Sequence, residues 1–404
     1  MAQRSLSFAL FRDGVIFVGA LLLTLQWIVV HAILRLPLGP AWGTVLPGLS
    51  IFGSALLLSW AAELAQIEIS QALAIAFLAL VAVLPEYAVD MFLAWKAARH
   101  PEYTAFAAAN MTGSNRLLIG MGWPVVLLAY WAKTRKRAIT VEPAQRLEIA
   151  TLFVATCYAF VIPFKRTLSL WDTLFFLGLF ILYIRAASHG KIEEPGLAGP
   201  PERIALLPRA WRRAATLALF LVPAAAIFLS AEPFANGLLR NARRLGIEEF
   251  MLIQWVAPLA SESPEFIVAV IFALRRKATA GLGTLVSSKV NQWTLLVGML
   301  PLVYAISGWR AHPMVLDGRQ AEEMFLTAAQ SLLALVVLAN MTFGFWEAIM
   351  LLVLFVLQFV CPTPQIRAYL AIGYVAIALA YLVNPRFRRS LGDLFRYGRR
   401  SSTQ

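Results

Sequence analysis

The chain of 404 residues is 60% hydrophobic and only 14% charged, with a mean hydropathy of +0.72; this excludes a soluble domain, which needs far more polar residues to cover its surface. Its 35 basic against 22 acidic residues give a formal net charge of +13, but the basic residues cluster between apolar stretches, as membrane topology demands, so no nucleic-acid partner is expected. Two cysteines far apart, Cys157 and Cys361, exclude a disulfide framework and a Cys-based metal site and read as small core residues.

Apolar stretches fall near 14–34, 45–66, 70–98, 103–132, 146–164, 168–187, 213–240, 248–274, 278–306, 321–340, 344–361 and 366–384. Each approaches or exceeds the length of about 20 residues that crosses a bilayer, which predicts an all-α polytopic membrane protein with about 12 transmembrane helices. The first run follows Arg4 and Arg12 but lacks a small-x-small cleavage site, so it reads as an uncleaved span. The stretches near 70–98, 103–132, 248–274 and 278–306 are interrupted by Pro, Gly, Ser and Asn. Membrane helices tolerate such interruptions where the freed backbone groups line a cavity or meet other helices. Basic residues at Arg4, Arg12, 133–146, 185–213, Arg275-Arg276-Lys277 and from Arg386 onward predict that both termini are cytoplasmic; the expected location is a bacterial inner membrane. That accounting leaves Arg116 and Lys289 as the two basic residues at membrane depth.

Pro85-Glu86 in the third stretch is repeated as Pro264-Glu265 in the eighth. The eighth stretch comes five places after the third, an odd offset, so the two cross in opposite directions, as in an inverted repeat with its binding site near the midplane. The chain divides accordingly. Residues 1–40 are an extra N-terminal helix, 41–187 the first five-helix repeat with its motif at 81–124, and 188–212 a cytoplasmic linker. Residues 213–361 form the second repeat, with its motif at 260–298, and 362–404 an extra helix with a basic tail.

A carboxylate at membrane depth is expensive and by default marks an ion or proton pathway. Glu86 and Asp90 share one helix face, as do Ser261, Glu262 and Glu265. Each proline frees a carbonyl one turn earlier. Asn110, Ser114, Asn115, Ser288, Asn291 and Gln292 could complete the oxygen shell of a hard cation. Protons compete with a cation for desolvated carboxylates, which lets one site exchange two ions. Taken singly, a membrane proline is most often a kink and a lone Asn or Ser a packing contact. Glu63, Glu232 and Glu347 lie nearer span ends, and His31, His100, His189 and His312 form no zinc-like cluster. With no Walker A loop, His-Glu-x-x-His or Gly-x-Ser-x-Gly, neither a nucleotide, a cofactor nor an enzymatic reaction is expected.

The two segments resemble the α-repeats of the sodium/calcium exchanger, or cation/calcium antiporter, superfamily. Val81-Ala82-Val83-Leu84-Pro85-Glu86 and Ala109-Asn110-Met111-Thr112-Gly113-Ser114-Asn115 stand in the places of its paired motifs, followed by Ala260-Ser261-Glu262-Ser263-Pro264-Glu265 and Gly283-Thr284-Leu285-Val286-Ser287-Ser288-Lys289. The resemblance implies that Glu86 and Glu265 hold the transported cation and that Ser114 and Ser288 flank it at sodium sites. Several positions depart from the pattern: Ala82, Val83, Glu262, Leu118 and Gln292 replace polar or acidic residues, Lys289 replaces an asparagine, and Arg116 follows Asn115. With Glu86, Asp90, Glu262 and Glu265 anionic and Arg116 and Lys289 cationic, the site keeps a net charge of about −2, enough for one divalent or two monovalent ions. Lys289, a tethered monovalent cation, would occupy a sodium position and pair with Glu86, Glu262 or Glu265. The reading is a secondary active cation antiporter, proton-coupled, with Ca2+, Na+ or H+ as partners and the bilayer as solvent. A non-transporting protein that keeps this fold, or a carrier of a different solute, stays open, as does the oligomeric state.

Overall fold

The computed structural model describes residues 2–36, 38–68, 84–188, 199–361 and 363–400. In chain order its helices are α1 (Ala2–Ile28), α2 (Trp42–Glu68), α3 (Leu84–Ala97), α4 (Glu102–Leu117), α5 (Trp123–Thr134), α6 (Arg146–Ala159), α7 (Val161–Lys165) and α8 (Leu170–Ala187). There follow α9 (Pro200–Ala205), α10 (Arg209–Leu245), α11 (Glu249–Leu274), α12 (Ala278–Asn291), α13 (Val297–Gly308), α14 (Gly318–Leu338), α15 (Phe345–Val360), α16 (Pro364–Val383) and α17 (Pro385–Arg400). Among the described residues, 10 helical runs are long and apolar enough to cross a membrane. The shorter α15 and α3 occupy the remaining two expected stretches. Residues 69–83, including Val81, Ala82 and Val83, and 189–198, including His189 and much of the expected linker, lie outside the described residues.

The chain forms two compact units. In the first, residues 1–92 and 188–264, α2 packs on both α1 and α10 through small residues. A Cβ at Gly53 would lie 2.8 Å from the carbonyl oxygen of Ala20, and one at Gly48 would lie 2.9 Å from the Phe234 ring. Membrane helices associate by such close approach, because lipid offers no hydrophobic drive between apolar faces. Hydrogen bonds reinforce it: Ser50 Oγ donates to the Thr24 carbonyl at 2.7 Å, and Asn241 Nδ2 to Thr44 Oγ1 at 2.7 Å. Helix α10 spans 37 residues with Pro223 and Pro233 inside it, about 55 Å at 1.5 Å per residue and so longer than the hydrocarbon core.

In the second unit, residues 93–187 and 265–404, α14 is largely enclosed and packs against α4, α6 and α16. Its start is fixed by Asp317, whose carboxylate accepts from the Gln320 backbone N–H at 2.8 Å while the Gln320 side chain returns the bond. Two small antiparallel ribbons satisfy the backbone of the connecting segments: Ala138–Thr140 pairs with Thr342–Gly344, and Thr167–Leu168 with Met314–Val315. One expectation is corrected here. Cys157 is exposed on α6 and Cys361 is half-buried, because the outside of this bundle faces lipid and a small apolar residue gains nothing by being inside. Arg367, in the first turn of α16, is buried, held by acidic partners described below.

Candidate cation-binding site

In the first unit, Glu86 and Asp90 lie one turn apart in α3 and are both buried, as is Glu262 in α11. Ser261 is also buried; its hydroxyl donates to the carbonyls of Pro258 and Ala257 at 3.2 and 3.3 Å. That geometry turns the proton onto the helix and leaves the oxygen's lone pairs available as ligands. Pro264 lacks an N–H, so the Ala260 carbonyl is released from the helix ladder beside Ser261 and Glu262.

In the second unit, α11 continues with Glu265, which is half-buried. Helix α4 carries Asn110, Ser114, Asn115 and Arg116, all buried. Ser114 Oγ donates to the Asn110 carbonyl at 2.7 Å and Asn115 Nδ2 to the Met111 carbonyl at 2.8 Å. Donating its amide N–H2 to its own helix aims the Asn115 carbonyl oxygen outward, where Lys289 Nζ donates to it at 2.6 Å. The same ammonium lies 3.4 Å from the Asn115 main-chain oxygen and 4.3 Å from the centre of the Trp293 ring. Trp293 is fixed in turn by donating Nε1–H to Thr156 Oγ1 at 3.1 Å. Two oxygens and a π face are the surroundings a bound monovalent cation would have.

Beside Lys289, three expected ligands share a property. Ser288 Oγ, Asn291 Oδ1 and both amide atoms of Gln292 are buried without a hydrogen-bonding partner among the described residues. Leaving a buried polar group unpaired costs about 1–3 kcal/mol, so these atoms are costly unless a ligand meets them. Gln292 also opens a π-helical turn, Gln292–Leu296, directly after α12; its counterpart in the first repeat is the π-helical turn Leu118–Gly122 directly after α4. Such turns re-aim side chains and recur at functional sites.

Arg116 is held elsewhere in its unit. Its guanidinium pairs with Glu323 on α14 at 2.6 Å and donates to Gln358 Oε1 on α15 at 3.0 Å. Gln358 Nε2 donates to Gln330 Oε1 at 3.0 Å and to the Tyr374 hydroxyl at 3.1 Å, while Gln330 Nε2 donates to the Arg116 carbonyl at 3.0 Å. Glu323 also faces Arg367 Nε at 3.6 Å, and Arg367 Nη2 meets Glu322 at 3.1 Å. This buried network ties α4 to α14, α15 and α16, and sequence reasoning missed it. The available signal was Glu322-Glu323 at the start of an apolar stretch, where a lone carboxylate pair calls for basic partners. Glu347, by contrast, serves as a helix cap, accepting from the Gly344 N–H at 2.6 Å.

A model of the family described as sodium/calcium exchanger protein matches residues 40–188 and 215–363. The chain belongs to this family. The crystal structure of an H+/Ca2+ exchanger, CAX, is 39% identical to this exchanger-family chain, covers 96% of it and 98% of its own length, and superposes with a TM-score of 0.93. Native YfkE is 17% identical over 90% of this chain and 99% of its own, with a TM-score of 0.60. The sodium-calcium exchanger NCX_Mj, soaked with 2.5 mM Na+ and 1 mM Sr2+, is 18% identical over 80% of this chain and 97% of its own, with a TM-score of 0.54. At those identities the last two speak for the fold alone. A direct comparison with curated protein sequences gives no match. The fold is that of the exchangers: an all-α polytopic membrane protein of two inverted five-helix repeats with an extra helix at each end.

Proposed function

We propose that this exchanger-family chain moves Ca2+ against H+ by alternating access. The observation that carries the proposal is its 39% identity, over 96% of its length, to an H+/Ca2+ exchanger. Glu86 and Glu265 are the paired carboxylates that hold Ca2+ or protons in turn, with Asp90 and Glu262 adding charge. Oxygens of Asn110, Ser114, Asn115, Ser261, Ser288, Asn291 and Gln292 complete the shells. A calcium ion needs roughly six to eight oxygens, and the unpartnered atoms of Ser288, Asn291 and Gln292 fit that demand. Binding neutralises the carboxylates, which lowers the cost of carrying them through the closed state.

Lys289 makes a proton the counter-ion rather than sodium. Its ammonium already rests on the Asn115 oxygens and the Trp293 face, the kind of place a mobile monovalent cation would take. Arg116 compensates charge through Glu323 rather than through the transported ion. The repeats run over 41–187 and 213–361, joined by the linker at 188–212, and both termini face the cytoplasm of a bacterial inner membrane, in keeping with the basic clusters.

Carboxamides in place of the paired acids test the assignment. Purified Glu86→Gln and Glu265→Gln variants in proteoliposomes are expected to lose Ca2+ flux by at least tenfold while melting cooperatively. Undiminished flux in both would remove Glu86 and Glu265 from the site.

A further inference from the structure

One buried carboxylate belongs to none of the motifs. Glu148 lies in the first turn of α6, inside an apolar span. Its Oε1 accepts from the Ser287 hydroxyl of α12 at 2.6 Å and from the Tyr183 hydroxyl of α8 at 3.2 Å. Its Oε2 is buried and has no hydrogen-bonding partner among the described residues. Among the described residues, Tyr183 on α8 and Glu142 on the segment leading into α6 are titratable groups that act on it, and neither supplies a positive charge. Ser287 sits roughly 13 Å along α12 from its first residue at 1.5 Å per residue.

A glutamine at 148 would accept the same two hydrogen bonds and would bury no charge. Tying α6 to α8 and α12 therefore does not call for a carboxylate; what a carboxylate adds is the ability to take and release a proton. Its Ser287 donor is adjacent in sequence to Ser288, whose oxygen is one of the unpartnered atoms of the candidate cation site. A shift of α12 that follows cation release at Ser288 moves Ser287 with it.

We infer that Glu148 is a further proton-carrying group of the exchange cycle, switched by the Ser287 hydroxyl. While Ca2+ occupies the site, Ser287 and Tyr183 donate to Oε1 and favour the carboxylate anion. When Ca2+ leaves and α12 shifts, withdrawing the Ser287 hydroxyl, Oε2 takes a proton from water and one O–H bond forms. On the return stroke Ser287 donates again, that O–H bond breaks, and the proton goes back to water. One proton is thereby gained and lost per cycle at a residue outside the paired acids. The inference rests on the H+/Ca2+ exchange proposed above.

The test uses the full chain in proteoliposomes, measuring Ca2+ uptake driven by a pH gradient and Ca2+/Ca2+ exchange at equal pH. Glu148→Gln is expected to lose proton-driven uptake by at least tenfold while keeping Ca2+/Ca2+ exchange within about twofold, since the cation ligands are untouched. Ser287→Ala, which keeps the acid and loses its switch, is expected to weaken proton-driven uptake several-fold with Ca2+/Ca2+ exchange likewise retained. This second variant carries the test should Glu148→Gln fail to fold. Proton-driven uptake equal to that of the unmodified chain in either variant overturns the inference, and so does parallel loss of both activities in a folded variant. An unmodified chain that shows Ca2+/Ca2+ exchange but no proton-driven uptake overturns the proposed counter-ion, and the inference falls with it.

Discussion

Lys289 and Arg116 are the two membrane-depth cations anticipated from the sequence, and they do different work. Lys289 fills an oxygen-and-ring cradle made by Asn115 and Trp293. Replacing it with asparagine removes the tethered charge and returns those oxygens to a mobile ion. Lys289→Asn is expected to make Ca2+ flux sensitive to sodium, where the unmodified chain is indifferent; parallel flux assays with sodium and with choline would read this, and indifference in both proteins would deny the cradle a role in ion choice. Arg116 is 2% exposed and its partner Glu323 is equally enclosed. Removing one member of a buried ion pair strands the other, at a cost of about 3–5 kcal/mol. Glu323→Gln should therefore lower the melting temperature sharply, and Arg116→Gln added to it should recover part of the loss. A double-mutant cycle that closes with no coupling would show the pair to be inert.

Between residues and molecule stand the helices, and their contacts are set by small residues and π-helical turns. A Cβ at Gly281 in α12 would lie 2.5 Å from the main-chain oxygen of Ala269 in α11. Backbone cannot yield as a side chain does, so Gly281→Ala has to push the two helices apart. A loss of about 1–3 kcal/mol is expected, measurable by thermal melting, and an unchanged melting temperature would mean the helices are not held at that separation. The apolar stretches near 146–164, 248–274 and 278–306 were legible because a bilayer imposes length and hydropathy directly on sequence. The twin Pro-Glu phrases were legible because charge at depth is rare. The π-helical turns after α4 and α12 were not, since a one-residue change in helix pitch leaves no compositional trace. Nor was the Arg116 network, whose members at Glu323, Gln330, Gln358 and Tyr374 are spread over three helices far from Arg116 in sequence. Glu148 escaped notice for a related reason: its significance lies in Ser287 and Tyr183, contacts that only folding brings together.

At the scale of the whole molecule, composition sets the solvent, duplication sets the exchanger fold, and the proposal assigns the exchanged ion pair to departures from the family pattern. Sodium/calcium exchange and proton/calcium exchange share this architecture, so the fold alone cannot choose between them. The choice falls to the chemistry around Asn115, Ser288 and Lys289 and to the identity with an H+/Ca2+ exchanger over nearly the full chain. The most direct measurement loads proteoliposomes containing the purified chain with a Ca2+ indicator and imposes either a pH gradient or a sodium gradient of equal driving force at zero membrane potential. Ca2+ uptake under the pH gradient, with none above background under the sodium gradient, is the result expected of proton-coupled exchange through Glu86 and Glu265. Uptake that follows the sodium gradient and ignores pH would contradict it.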